Sequence, residues 1–273
     1  MKKLSAHNRK NNSEQVSNFY NWSRDYWIEK STSSSGESSS MLSFGLWEGF
    51  DIEFYDAQIA LHDLCMSYFE NLPALSQGLE IGCGIGGNVI RLAKKRNDLR
   101  ITGLDISKSQ IDLARTKSIS IPDINVKFIE GSSMDIPCNN QFFDFSFCIE
   151  SSFHYESINL FAKENARILK ENGTTLIADI TCENSDLIKL KHGNHFRSIN
   201  EITHALENAG FEITNINRIG ENVFTPLYNY IAKFKERTLL QRYWTKVLRN
   251  YSELSEQGVM GYDIIFAKKR ISD

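Results

Sequence analysis

The chain has 273 residues, of which 41% are hydrophobic and 24% are charged, as in ordinary globular proteins. Lys and Arg number 31 against 34 Asp and Glu, and the net charge of −3 argues against a protein that coats nucleic acid, because phosphate binding requires a basic surface. No uncharged stretch approaches the roughly 18 residues that a transmembrane helix requires, so no membrane span is predicted.

The cysteines and the N-terminal residues predict a cytoplasmic protein. The five cysteines are an odd number, widely spread and without a CxxC pair, which favours reduced thiols over a disulfide framework or a zinc site. Lys2 and Lys3 are followed by polar residues rather than by an apolar run, so we expect no secretory signal.

The first 78 residues contain segments of different character. Residues 1–16 are polar and are expected to be mobile. Residues 17–30 place aromatic side chains at helical spacings, which predicts a helix. In the stretch 31–40 seven of ten residues are Ser, which predicts a linker or a flexible loop. Residues 52–72 again have helical periodicity, and we expect residues 1–78 to form an N-terminal tail and a helical lid.

Residues 79–273 alternate short apolar runs with helical stretches, which predicts βαβ units and a parallel sheet. We predict strands near 79–81, 100–105, 125–130, 143–149, 174–180, 211–218 and 260–268, and helices near 86–96, 107–118, 157–171 and 199–209. Gly173, after Lys170-Glu171-Asn172, is typical of a helix stop. The last two strands are joined by a long segment, 222–256, whose aromatic residues are expected to form a helical insert that covers the substrate.

The stretch Leu79-Glu80-Ile81-Gly82-Cys83-Gly84-Ile85-Gly86-Gly87-Asn88 ends the first of these strands and opens a helix. Glycines permit the sharp turn and let the backbone approach a ligand closely. Gly82, Gly84 and Gly87 satisfy GxGxxG, so an NAD-binding fold is an alternative. Asp105 ends the next strand, where a carboxylate can accept both hydroxyls of a ribose. Because an acid at this place is expected in other nucleotide-binding folds as well as in an NAD-binding fold, Asp105 does not distinguish between them.

Glu80 lies inside the first strand, where a dinucleotide-binding fold usually has a hydrophobic residue. The segment Glu80-Ile81-Gly82-Cys83-Gly84, together with Asp105-Ile106-Ser107, resembles the first two motifs of class I S-adenosylmethionine-dependent methyltransferases. The closing order of helix, strand, insert and strand is similar to that of the same family. The resemblance implies an α/β, Rossmann-like fold: a seven-stranded, mostly parallel sheet with an antiparallel final strand and helices on both faces.

Further motifs extend the resemblance over about residues 79–219. Gly131-Ser132-Ser133-Met134-Asp135-Ile136-Pro137 is similar to the family's adenine-side loop, although many small-molecule members have Asp where Ser132 stands. Phe142-Phe143-Asp144-Phe145 resembles the fourth-strand motif. The resemblance implies S-adenosylmethionine as cofactor, S-adenosylhomocysteine as product, and a set of cofactor-binding residues: Tyr20, Glu80, Gly82, Cys83, Gly84, Asp105, Ile106, Ser132, Ser133, Met134, Ile149 and Glu150.

Two polar residues follow neighbouring central strands, at the edge where open α/β sheets bind ligands. His154 lies in Glu150-Ser151-Ser152-Phe153-His154-Tyr155, and Asp179 lies in Ile177-Ala178-Asp179-Ile180. These segments resemble small-molecule methyltransferases of the rebeccamycin sugar O-methyltransferase, dimethylglycine N-methyltransferase and tocopherol methyltransferase kind. The resemblance implies that His154 is the general base, or at least orients the acceptor, with Asp179 assisting. A carboxylate near the imidazole would raise its pKa and hold it in one tautomer.

We therefore expect an enzyme that methylates a small natural-product or lipid-like molecule at oxygen, nitrogen or carbon. The alternatives are an NAD-dependent oxidoreductase, a non-catalytic module that binds S-adenosylmethionine, and a protein or RNA methyltransferase. The acidic charge balance opposes the RNA methyltransferase. No metal site is predicted, since His192 and His195 form HxxH without an evident third ligand. We expect no nucleic-acid partner, and the oligomeric state stays open.

Overall fold

The computed structural model describes residues 6–49, 51–188, 194–235 and 238–271, with the side chains of the first helix described from Glu14 onward. The helices are α1 (Ala6–Lys30), α2 (Phe54–Ser67), α3 (Gly87–Lys95), α4 (Lys108–Ile119), α5 (Ile158–Ile168), α6 (Ile199–Asn208), α7 (Phe224–Ala232) and α8 (Leu239–Glu256). The strands are β1 (Gln77–Ile81), β2 (Arg100–Asp105), β3 (Val126–Glu130), β4 (Phe143–Ile149), β5 (Leu169–Cys182), β6 (Phe211–Arg218) and β7 (Met260–Lys269).

One seven-stranded sheet with the order β3-β2-β1-β4-β5-β7-β6 organises the fold. The strands β1 to β5 pair in parallel, and β7 pairs antiparallel with both β5 and β6. This arrangement confirms the predicted Rossmann-like sheet with an antiparallel final strand. The chain leaves β1 toward β2 and leaves β4 toward β5, in opposite directions along the sheet, so the junction of β1 and β4 is a topological switch point.

The connection into β5 differs from the prediction. The sequence predicted a helix through residue 171 and a stop at Gly173, whereas α5 ends at Ile168 and β5 begins at once. The register between β4 and β5 shifts just after this point, and Asn172 has a φ of +60°. Residues 170–173 therefore form an irregularity in a strand, which periodicity in a single segment cannot distinguish from the last turn of a helix.

The Ser-rich stretch 31–40 is a hydrogen-bonded turn rather than the expected linker or flexible loop. The amide of Ser33 donates to the carbonyl of Glu37 over 2.8 Å. The Lys117 ammonium donates to the hydroxyl of Ser40 over 2.7 Å, which fixes the end of the stretch to α4. Short hydroxyl side chains thus hold a segment that has almost no apolar surface to bury.

Aromatic side chains of α1, the insert and the segment between α1 and α2 pack in one layer beside the sheet. The ring of Trp27 lies 4.5 Å from that of Trp244 and 5.7 Å from that of Phe54, and all three side chains are buried. Phe44 lies 6.5 Å from Trp244. The insert aromatics therefore hold α1 in place. Residues 6–16, which the sequence predicted to be mobile, form the first turns of this helix.

A continuous apolar core crosses the boundary that the sequence predicted at residue 78. It joins Trp27 and Leu61 on one side of the boundary with Phe147 and Leu176 of the sheet on the other. The division into a lid and a methyltransferase core therefore stays a prediction. Among the helices of the described ranges, none combines the length and the apolar character that crossing a bilayer requires.

Gln58 of α2 holds the segment that enters the functional region, and its removal tests that attachment. Its side-chain amide is fully buried and donates to the carbonyls of Met41 (3.1 Å) and Ser43 (2.7 Å). Gln58→Ala leaves both carbonyls without this donor, so we expect a loss of about 1–3 kcal/mol in the free energy of unfolding. Denaturant unfolding measures the loss, and the exposed substitution Asn200→Ala is the control. Equal stability of the two variants would contradict this role.

Candidate active site

A cleft opens at the carboxyl ends of β1, β2 and β4, beside the switch point. The walls include α1, residues 40–43, the glycine turn between β1 and α3, and residues 149–155 after β4. Most of the predicted site residues line it, namely Tyr20, Gly82, Cys83, Gly84, Asp105, Ile106, Ser132, Ser133, Met134, Ile149, Glu150 and His154. The structure thus brings together residues from distant parts of the sequence. Glu80 and Asp179 lie behind the walls.

The glycine turn has a backbone conformation that residues with side chains rarely adopt. Gly82 has a φ of +81°, and a Cβ there would overlap the side chain of Ser151. Gly84 has a φ of +52°, but a Cβ there would meet only Leu42 Cδ1 at 3.6 Å. The first glycine is therefore required by the packing of the protein, whereas the second leaves open space on the cleft side.

Asp105 is fixed at the end of β2 by two backbone amides. Its Oδ2 accepts from the amide of Gly84 (2.9 Å) and its Oδ1 accepts from the amide of Ser107 (2.8 Å). Burial raises the pKa of the carboxyl above its usual value, and these amides partly offset the increase. Each carboxylate oxygen can accept a further hydrogen bond, so Asp105 can bind two neighbouring hydroxyls from a fixed position.

Glu80 acts behind the glycine turn and does not line the cleft, in contrast to its predicted contact with the cofactor. Its Oε1 accepts from the Nδ2 of Asn88 (2.8 Å), and the Oδ1 of Asn88 lies 3.1 Å from the Nδ1 of His62. Burial raises the pKa of Glu80 to about 8 and lowers that of His62 to about 4. Asn88 does line the cleft, so Glu80 reaches the site through this neighbour.

Glu150 connects three parts of the fold at the cleft wall. Its Oε1 accepts from the amide of Phe44 (2.7 Å) and from the hydroxyl of Tyr262 (3.0 Å). Burial raises the pKa of Glu150 to about 8, because the two donors only partly replace water and Asp179 adds a second negative charge nearby. A cation in the cleft would favour the ionised carboxylate.

Gln110 is a cleft residue that the sequence analysis missed. It belongs to α4, is 1% exposed and lines the cleft near Ile106 and Ser107. Neither its Oε1 nor its Nε2 has a hydrogen-bond partner among the described residues. Burying an amide without hydrogen-bond partners costs free energy unless a bound ligand supplies the missing hydrogen bonds. The available signal was a polar residue on the buried face of an amphipathic helix that begins directly after Asp105.

Tyr20 and His154 meet across the cleft. The Oη of Tyr20 lies 2.9 Å from the Nε2 of His154, and the rings are 5.4 Å apart in an edge-to-face arrangement. Burial lowers the pKa of His154 to about 3, partly offset by the side chain of Asn194. Burial raises the pKa of Tyr20, as do nearby carboxylates. Both side chains are therefore neutral near pH 7, and one hydrogen bond joins the Tyr20 hydroxyl to the Nε2 of the neutral imidazole.

Asp179 holds the turn that carries His154 and is bonded to other groups than the imidazole. Its Oδ2 accepts from the amides of Ser152 (2.6 Å) and Phe153 (3.2 Å), and its Oδ1 accepts from the amide of Ile180 (2.8 Å). Burial raises the pKa of Asp179 to about 6. These contacts correct the expectation that Asp179 pairs with His154 and raises its pKa. Asp179 acts on His154 through the backbone.

Arg197 holds the same turn from its carbonyl side and was also missed by the sequence analysis. Its guanidinium donates to the carbonyls of Ser152 (3.3 Å) and Tyr155 (2.5 Å). The turn is thus bound by a carboxylate at its amides and by a cation at its carbonyls. No pattern in the sequence pairs this arginine with residues about 40 positions earlier.

The sequence also singled out Cys83, Ile149 and the two histidines of the HxxH pattern. Cys83 is buried, and burial raises the pKa of its thiol well above the usual value, so it is no nucleophile. Ile149 packs in the core beneath the cleft. His192 lies outside the described residues, and His195 donates its backbone amide to the carbonyl of Phe153 over 2.6 Å. Within the described ranges, no group of three or more His, Cys, Asp or Glu is arranged to hold a metal ion.

The two glycines offer a matched pair of substitutions. Gly82→Ala places a Cβ against Ser151, so we expect a loss of several kcal/mol in stability, on the scale of overpacked cores. Gly84→Ala has room, so we expect only the backbone cost of about 1 kcal/mol. Its Cβ projects into the cleft and should weaken binding of S-adenosylhomocysteine. Thermal unfolding and calorimetric titration measure both effects. Equal destabilisation by the two substitutions would contradict the assignment.

Comparison with known proteins agrees with this geometry. A family model described as a methyltransferase domain matches residues 79–177. The chain is 28% identical over 200 residues to the O-methyltransferase cnsE of Penicillium expansum, covering 70% of this chain and 71% of that protein. It is 26% identical over 202 residues to the O-methyltransferase resE of Aspergillus sclerotiorum, covering 70% and 75%. The match to a methyltransferase domain favours methyl transfer over the alternative of an NAD-dependent oxidoreductase.

Solved structures share the fold at low sequence identity. A geranyl diphosphate methyltransferase in complex with GPP and sinefungin has a TM-score of 0.81 at 14% identity, covering 94% of this chain and 99% of that one. The [4+2]-cyclase SpnF has a TM-score of 0.77 at 20% identity, covering 95% and 97%. Since this fold also occurs in a cyclase, the domain match and the cleft decide the family. The domain match, the homologues and the cleft together support a class I S-adenosylmethionine-dependent methyltransferase of the small-molecule type.

Proposed function

We propose that this enzyme methylates a hydroxyl group of a largely apolar small molecule. The observation that carries the proposal is the pair of Tyr20 and His154, 2.9 Å apart in the cleft wall. Val16, one helical turn before Tyr20, and Leu42 line the same cleft, so apolar side chains accompany the pair. An acceptor hydroxyl both donates and accepts, so it can replace either partner of this hydrogen bond.

The relatives with matches of about 200 residues support oxygen as the methylated atom, whereas a sterol 24-C-methyltransferase of Gibberella zeae, matched over 177 residues, is named for carbon. The proteins cnsE and resE, which match about 200 residues each, are both named O-methyltransferases. A fatty-acid O-methyltransferase of Mycolicibacterium smegmatis is 33% identical over 101 residues, which cover 37% of this chain and 36% of that protein. These names fit an acceptor with a polar oxygen on an apolar body.

The residues of the cleft fit the cofactor. When bound, S-adenosylmethionine supplies a methyl group on a positively charged sulfur, which carries the reactivity. Asp105 accepts the ribose hydroxyls from a position fixed by two amides. The amide of Gln110, which has no hydrogen-bond partner among the described residues, offers a donor and an acceptor in the same cleft. The chain's own residues then have to bind and orient the cofactor and the acceptor, and to exclude water.

His154 and Tyr20 orient the acceptor rather than ionise it beforehand. An imidazole with a pKa of about 3 is a weak base for a free hydroxyl. As the new carbon–oxygen bond forms, the hydroxyl becomes much more acidic and can give its proton to a weakly basic nitrogen. His154 therefore accepts a hydrogen bond from the acceptor hydroxyl throughout methyl transfer. The proton moves to the imidazole only late in the reaction, when the carbon–oxygen bond is largely formed. Asp179 and Arg197 keep the imidazole in position through the turn.

Substitution of His154 separates orientation from base catalysis. We expect His154→Ala to lower kcat by about 10²-fold, at the low end for a general acid–base group, with little change in S-adenosylmethionine affinity. His154→Gln keeps a hydrogen-bonding group at the same place and should recover part of the loss. Single-turnover rates with a tritiated methyl donor and a panel of apolar alcohols and phenols measure both.

The pH profile completes this test. Because the pKa of His154 lies near 3, the rate constant for methyl transfer should not fall as the pH decreases from about 8 to about 6. An acidic limb with an apparent pKa near that of free imidazole, absent in His154→Gln, would show instead that His154 is a conventional general base. Retention of most activity by His154→Ala would contradict both roles.

Glu150 should favour the cationic cofactor over its neutral product. Below about pH 8 its carboxyl holds a proton in the empty cleft, and a sulfonium favours loss of that proton. The affinity for S-adenosylmethionine relative to S-adenosylhomocysteine should therefore rise with pH until about 8, by at most about tenfold per pH unit for one released proton. Calorimetric titration at several pH values measures the ratio.

Two variants control this measurement. Glu150→Gln keeps an acceptor for the amide of Phe44 but has no charge, so the ratio should lose its pH dependence. Glu207→Gln, an exposed change on α6, should leave it unaltered. A pH-independent ratio in the unmodified enzyme would contradict the electrostatic role of Glu150.

A further inference from the structure

Positive charge is concentrated in the insert between β6 and β7. Residues 222–256 contain six Lys and Arg but three Asp or Glu, although the whole chain has a net charge of −3. The rest of the protein is therefore distinctly acidic. Such segregation of charge indicates a surface that meets an anionic partner.

Five of these basic residues have described positions, and four share a surface with exposed apolar side chains. Lys233 and Lys235 follow the end of α7 and flank Phe234, whose side chain is 41% exposed. Leu239, 82% exposed, begins α8, and Arg242 and Lys246 follow it on the same exposed helical face. These residues, Lys233, Phe234, Lys235, Leu239, Arg242 and Lys246, form what we term the basic–apolar surface.

The charges of this surface are not neutralised within the described part of the protein. None of its four cations takes part in an ion pair there. The nearby acids of α1 already have partners: Asp25 pairs with Arg24 at 2.9 Å and Glu29 pairs with Lys30 at 3.0 Å. The surface is therefore available to an external anion.

The basic–apolar surface adjoins the helix that covers the cleft. The ammonium of Lys30, at the end of α1, lies 4.5 Å from the ring centroid of Phe234. Trp22 of α1 is 49% exposed and packs its ring 5.3 Å from that of Tyr243 in α8. Trp22 belongs to the same helix as Tyr20, so a partner on this surface contacts the helix that lines the cleft on another of its faces.

We infer that the basic–apolar surface docks this enzyme on an anionic lipid bilayer. Lysine and arginine are attracted to anionic headgroups, and exposed Phe, Leu and Trp side chains bury their apolar area at the interface. The inference concerns binding and does not depend on the identity of the methyl acceptor.

Co-sedimentation of the full chain with vesicles tests this inference. We expect binding to phosphatidylcholine vesicles that contain phosphatidylglycerol, weak binding to phosphatidylcholine alone, and loss of binding at high salt because the charges are screened. Arg242→Glu with Lys246→Glu should weaken binding at least about tenfold, given the attraction of each basic residue to such a surface. Phe234→Ser with Leu239→Ser should also weaken it, with its salt dependence retained.

Matched substitutions elsewhere provide the controls. Ile119→Ser changes an 85% exposed apolar residue of α4, and Lys163→Glu changes an exposed lysine of α5; neither should alter vesicle binding. Unchanged calorimetric binding of S-adenosylhomocysteine shows that each variant is folded, and this readout also tests the cofactor site separately. Absence of vesicle binding, equal binding to neutral vesicles, loss in the control variants, or binding of single-stranded RNA in place of vesicles would each overturn the inference.

Discussion

The hydroxyl of Ser151 donates to the carbonyl of Ile81 over 2.8 Å and joins the ends of β1 and β4 directly. Strands at a switch point send their loops to opposite sides, so the two ends tend to separate and need a contact above the sheet. Tyr155 donates to the same carbonyl over 3.1 Å. Glycine at position 82 is the residue that leaves space for the Ser151 side chain. The glycine turn and the turn that carries the imidazole of His154 are thus held at a fixed distance from each other.

Buried carboxyl groups surround this junction at a cost in free energy. Glu80, Glu150 and Asp179 are each less than a tenth exposed, and burial raises the pKa of all three. A backbone or side-chain donor holds at least one oxygen of each carboxyl group, although the Oε2 of Glu80 has no partner among the described residues. Since burial raises the pKa of Glu80 and Glu150 to about 8, these carboxyl groups are mostly protonated near pH 7, and the wall gains negative charge when a cation binds in the cleft.

The sequence predicted the sheet, the glycine turn and Asp105, because each depends on local patterns: alternating apolar runs, glycine spacing and an acid at a strand end. It failed where the outcome depends on partners distant in the chain. The irregularity at 170–173 follows from the register with β4. The bonds of Asp179 go to a turn that no local pattern connects to it. The low pKa of His154 reflects burial beneath α1, and sequence spacing contains no information about that desolvation.

The two halves of α1 are attached by contacts of different kinds. Near its middle, Ser17 meets Ser107 at 2.9 Å and Asn21 accepts from Ser109 at 3.0 Å, and both contacts reach the start of α4 through short polar side chains. Toward its end, Trp27 is 3% exposed in the aromatic layer. Water can replace the polar contacts at a net cost of about 1 kcal/mol each, whereas releasing Trp27 costs several times more. The polar contacts near the middle of the helix are therefore the weaker of the two attachments, and they are the ones for which water competes most readily.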